Sequence, residues 1–117
     1  MAYSLFTIGK HTAINVGSSS TLVLSANNNR TWARLTNDSN EIIYLMLGET
    51  AVANEGIRLD PVGASTASGT NFWEINSTNL YTGSIYAICA SGTKKLLVVE
   101  NTSTKSSWFS ITFEMSL

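Results

Sequence analysis

The chain has 117 residues, of which 44% are hydrophobic and only 13% charged, for a net charge of −1. One core of this size buries roughly two thirds of the unfolded chain's surface, so folding needs neither a metal nor a disulfide framework. The seven cations, scattered from Lys10 to Lys105, form no basic patch of the kind nucleic acid requires, and no apolar run reaches the roughly 18 residues of a membrane-spanning helix.

Ser, Thr and Asn stand where charge would normally be, at 16, 14 and 11 positions. Thr favours strands while Ser and Asn favour turns, so this composition suits an all-β chain with many loops. In chain order the predicted strands are Tyr3–Ile8, Thr12–Val16, Thr21–Leu24, Thr31–Leu35 and Glu41–Leu47. After them come Ile57–Asp60, Phe72–Ile75, Ser84–Cys89, Lys95–Glu100 and Ser107–Met115. Turn formers separate them: Gly17-Ser18-Ser19-Ser20, Asn27-Asn28-Asn29, Asn37-Asp38-Ser39-Asn40 and Ser91-Gly92-Thr93. Spacing of about 8–12 residues with turns between marks an all-β sandwich or barrel. The expectation is one antiparallel β-sandwich domain over residues 1–117, jelly-roll-like, with about 8–10 short strands.

Within that frame, Glu49–Asn54 offers the best helix candidate, of about one turn. Val62–Asn71, rich in Gly, Ser, Ala and Thr, reads as a loop that is mobile or ordered by a partner. Ile42–Leu47 and Leu96–Val99 are apolar throughout, as in central strands covered on both faces or strands whose second face meets another subunit. The last predicted strand alternates cleanly: Phe109, Ile111, Phe113 and Met115 share one face, and Trp108, Ser110, Thr112 and Glu114 the other. Residues 1–29 include an expected arm or edge strand, with Tyr3, Leu5 and Phe6 available to a neighbour's sheet edge.

Groups suited to chemistry are few. His11 is the single histidine, beside a strand, and reads as a solvated side chain rather than a general base. Cys89 is the single cysteine; inside Ile85–Ala90 it reads as a small buried hydrophobe. One Cys and one His make no tetrahedral zinc site, and no motif supports calcium at Asp38 or Asp60. Glu74, Glu100 and Glu114 each alternate with apolar neighbours, as solvent-facing strand residues do. No catalytic, cofactor or metal site is therefore expected. Trp32, Trp73 and Trp108 sit beside polar residues; each reads first as core or sandwich-edge lid, then as an interface anchor, then as a sugar platform. The four Asn-x-Ser/Thr sequons, at Asn29, Asn37, Asn76 and Asn101, are about what this composition yields by chance. Met1–Gly9 lacks the basic start and long apolar stretch of a secretory signal, so synthesis in a cytoplasm is expected.

The order of Arg30, Leu35 and Asn37, then Ile43-Tyr44-Leu45-Met46-Leu47-Gly48, Gly56-Ile57-Arg58-Leu59, Tyr81–Ile88 and Leu97-Val98-Val99-Glu100 resembles small β-sandwich structural proteins of tailed bacteriophages. The resemblance lies in rhythm more than in invariant chemistry. It implies a non-enzymatic virion protein on the capsid surface, decorating or cementing the head by binding major capsid protein subunits, commonly as a homotrimer. Tyr3, Leu5, Phe6, Trp32, Trp73 and Trp108 are then the expected contact residues, with no cofactor, nucleic acid or membrane involved. The alternatives are a carbohydrate-binding or receptor-binding module of a tail or fibre, for which a glycan is the partner, and a head–tail joining protein.

Overall fold

A long hairpin folded in half accounts for the pairing in the computed structural model, which describes residues 7–62 and 70–103. Its strands are β1 (Thr7–Val16), β2 (Thr21–Leu24), β3 (Arg30–Asn37), β4 (Ile43–Leu47), β5 (Ile57–Leu59), β6 (Phe72–Ile75), β7 (Ile85–Cys89) and β8 (Lys94–Ser103). Four antiparallel pairs are nested: β4 with β5, β3 with β6, β2 with β7 and β1 with β8. Rolling that ribbon adds the β3–β8 and β4–β7 ladders. The products are two four-stranded sheets, ordered β1-β8-β3-β6 and β2-β7-β4-β5. This is a jelly-roll sandwich, as the strand rhythm predicts.

Period-two alternation fills the space between the sheets. Ala33, Leu35, Ile75, Leu96 and Val98 point inward from the first sheet; Ile43, Leu45, Leu59, Ile85, Ala87 and Cys89 do so from the second. All are buried almost completely, which ties the register of six strands to one hydrophobic layer.

Three expectations change. Thr7 and Ile8 run on into Thr12–Val16 as one ten-residue strand, because Gly9-Lys10-His11 continues the ladder opposite Val99, Glu100 and Asn101 instead of turning; Tyr3–Phe6 lie outside the described residues. Glu49–Asn54 is not helical: Glu55 N–H closes a turn on the Val52 carbonyl at 3.1 Å, Asn54 takes φ 69°, and Ala51 N–H is drawn to Ser20 Oγ at 2.8 Å. A single turn is too short to nucleate a helix against such competitors. Glu100 does not face solvent; it points into the sandwich on the same side as Leu96 and Val98. The predicted strand Ser107–Met115 and most of the Val62–Asn71 loop lie outside the described residues. The ends of that loop are tied to one turn: Val62 N–H donates to the Ser39 carbonyl at 2.9 Å, and Asn37 N–H to that of Asn71 at 2.7 Å.

Two buried polar residues hold the loops to the core. Arg30 is 1% exposed. Its Nε–H donates to Glu100 Oε2 at 2.8 Å, and its Nη atoms donate to the carbonyls of Tyr81 (2.8 Å), Gly83 (3.0 Å) and Ser25 (2.6 Å). A bulge between Arg30 and Trp32 makes this possible, since it turns Arg30 to the inner face while Trp32 stays outside. At the other end Asn37 donates to the Glu41 and Leu59 carbonyls at 2.6 and 3.1 Å and accepts from Ser39 N–H and Oγ–H.

Candidate interaction surfaces

The strands that bury one set of side chains must present the other outward, and here much of that outer set is apolar. On the β2-β7-β4-β5 sheet the register aligns Leu22, Tyr86 and Met46 in one cross-strand row. Ile88, Tyr44 and Arg58 form the next. Leu22 is 46% exposed and the rest, Arg58 apart, are half-buried. The Tyr44 hydroxyl donates to Asn54 Oδ1 at 2.9 Å, which fixes its ring against the sheet. Tyr, Met and Arg are the residue types enriched in protein interfaces, where they supply area at low entropic cost.

The outer face of β1-β8-β3-β6 divides in two. Toward β1, Ala13 and Leu97 stand in one row and His11 and Val99 in the next, forming a shallow apolar trough in which Leu97 is 37% exposed. Toward β6 the same rows carry Thr36 with Phe72 and Arg34 with Glu74. The Arg34 guanidinium carbon sits 4.2 Å from the centre of the Phe72 ring, and its Nη2–H donates to Glu74 Oε1 at 2.9 Å. Donation from Arg34 first, and then from the Trp32 side chain, holds the Glu74 carboxyl below the usual range. Arg34 Nε–H has no partner among the described residues.

A cleft of about 310 Å³ opens between the sheets along the β1 and β2 edges. Lys10, Thr12 and Ile14 line it from β1, Leu22 and Leu24 from β2, and Val98 and Glu100 from β8.

The predicted contact residues separate accordingly. Trp32 lies on the outer face, bonded to Glu74, whereas Trp73 packs against the core. Tyr3, Leu5, Phe6 and Trp108 lie outside the described residues. His11 is exposed on the edge strand. Cys89 is buried, and its thiol lies within hydrogen-bonding reach of the carbonyls of Val16, Gly17 and Ser91, any one of which can take its single proton; burial raises its pKa above the ordinary thiol value. The row Leu22–Tyr86–Met46 was not singled out by composition, although the outward parity of Tyr44, Met46, Tyr86 and Ile88 is readable in the sequence. Ile42–Leu47 and Leu96–Val99 do run through interior strands, but only one face of each is buried within the chain. Among the described residues no three His, Cys, Asp or Glu side chains gather where they could share a metal ion, and no helix is long and apolar enough to cross a membrane. No family model, curated protein or solved structure matches the chain.

Proposed function

We propose that this jelly roll is a non-enzymatic structural protein of a tailed-phage particle, which decorates or cements the head as a homotrimer by binding major capsid protein subunits. The observation that carries the reading is the outer face of the β2-β7-β4-β5 sheet, where Leu22, Tyr86, Met46, Ile88 and Tyr44 form adjoining rows beside Arg58. Such a face gains free energy by being covered. The groups capable of chemistry support the same reading, because they serve as fasteners: Arg30 donates to Glu100 and to three loop carbonyls, and the Cys89 thiol is held against backbone carbonyls. Many modest contacts repeated over a lattice sum to strong attachment through avidity.

Imaging of virions assembled with and without the protein tests this. Added density at lattice positions is expected, and its loss when Met46→Lys and Tyr86→Lys are combined. Identical capsid density in both preparations would sink the proposal. A sugar-binding role predicts saturable binding on a glycan array that Trp32→Ala abolishes; a cement protein shows none.

A further inference from the structure

β1 is the longest edge of the sandwich, ten residues with a hydrogen-bonded neighbour on one side only among the described residues. At about 3.3 Å per residue it offers some 33 Å of backbone able to accept another strand. The cleft lies beside that edge, between the sheets, where a strand added to β1 would direct alternate side chains. Its lining is apolar at Ile14, Val23, Leu24 and Val98 and polar at Lys10, Thr12 and Glu100.

The chain itself contains a segment of matching form. After Ser103, where β8 ends, 14 residues follow, and within them Phe109, Ile111, Phe113 and Met115 alternate with Trp108, Ser110, Thr112 and Glu114. Residues 108–115 would span about 26 Å as a strand, within the length of β1. They carry one wholly apolar face and one mainly polar face, the pattern of a strand that covers an open sandwich edge. We propose that this C-terminal segment of one copy adds to the β1 edge of a second copy and seats its Phe109-Ile111-Phe113-Met115 face in the cleft.

Register explains why the partner is a second copy. Thr7 pairs with Ser103, so β8 ends at the end of the sheet where β1 begins. A tail that turned back onto the free side of its own β1 would therefore have to run parallel to it. A tail from another molecule is free of that constraint and can pair antiparallel, the somewhat stronger arrangement. Each copy offers one donor and one acceptor, so the contact is head-to-tail and closes into a ring if the rotation between copies allows. This goes beyond the capsid reading and needs no capsid for its test.

The mass of the purified 117-residue chain, measured by light scattering after size exclusion, is the primary readout, with 12.6 kDa the mass of one copy. The wild type is expected as a multiple of that mass. Phe109→Ser with Phe113→Ser removes the donor, and Thr12→Lys places a charge in the acceptor cleft; each is expected to run as a single chain. An equimolar mixture of the two variants retains one intact donor and one intact acceptor, so a two-chain complex should form. Hydrogen exchange supplies the fold control: in the donor variant the β1 amides that face away from β8 lose protection while the β3 amides of Ala33–Asn37 keep it. Should β3 also open, the single change Phe113→Ser replaces the double one. A single-chain wild type, either variant with wild-type mass, or a mixture that forms no complex would overturn the proposal.

Discussion

Arg30→Met should be among the most damaging single substitutions in this protein. The guanidinium is buried and makes four hydrogen bonds, to Glu100 Oε2 and to the carbonyls of Tyr81, Gly83 and Ser25. Removing one member of a buried ion pair costs roughly 3–5 kcal/mol, because the other charge is left uncompensated. Each carbonyl stranded away from water adds about 1 kcal/mol or more, but these three are part-buried at loop ends and water recovers some of that. The expected loss is therefore about 4 kcal/mol, a large fraction of the roughly 5–15 kcal/mol that holds a domain together. Urea unfolding followed by tryptophan fluorescence should show the midpoint fall by roughly 2–4 M at unchanged slope. Arg30→Met with Glu100→Leu removes both charges and leaves the three carbonyls and the Asn27 amide without their partners, so the double variant should regain about 2 kcal/mol over the single one. A single-variant loss below about 1 kcal/mol, or a double variant no better than the single, would refute a coupled buried pair.

Acid should weaken the fold through the surface carboxylates. Glu74, through Arg34, and Glu41, through the Ser91 hydroxyl, have pKa values lowered in the folded state. Their stabilisation is complete above the ordinary glutamate value and is lost as pH falls below about 4–5 toward the folded-state values. Melting temperatures across that range should decline, and Glu74→Gln should flatten the decline; an unchanged slope contradicts the assignment. Gly56→Ala should cost about 2 kcal/mol or more, since Gly56 has φ 85° and a Cβ there runs into the Leu45 carbonyl. Gly92→Ala, into open space, should stay within about 0.5 kcal/mol, and equal melting points for the two would remove the argument. Cys89 should resist a thiol reagent until the protein unfolds; rapid labelling at neutral pH would contradict its burial and raised pKa.

The strands were legible where alternation and turn residues agree. Thr21–Leu24 and Phe72–Ile75 are found with the bounds their residue pattern predicts. Gly9 misleads because a glycine at an edge reads as a break, yet β8 supplies a ladder that carries the backbone through it. Glu100 was within reach: it stands two and four residues from Val98 and Leu96, so strand parity puts it inside despite its charge. Its partner was not. Arg30 shares parity with Trp32 and Arg34 on the outer face, and only a bulge, decided by how β3 meets β8, reverses it. The outward rows were hidden for a similar reason. Leu22, Tyr86 and Met46 come from three distant strands, and only cross-strand register shows that they are neighbours.

The nested pairing also implies an order of folding. Leu45 and Ile57 meet across one short connection, whereas Thr7 and Ser103 join nearly the two ends of the described chain. Closing the outer pair directly, a loop about eight times longer, costs about 2 kcal/mol more in chain entropy than closing the inner one. Zipping outward from β4–β5 avoids most of that, with each pair shortening the loop for the next. On a ribosome β1 emerges first but must wait for β8, the last described strand, before it finds its ladder partner. For most of synthesis it is an unpaired strand of ten residues, the segment most exposed to capture by other chains. Dense expression should therefore reduce yield through β1 before any other strand, and slower synthesis or lower temperature should recover it.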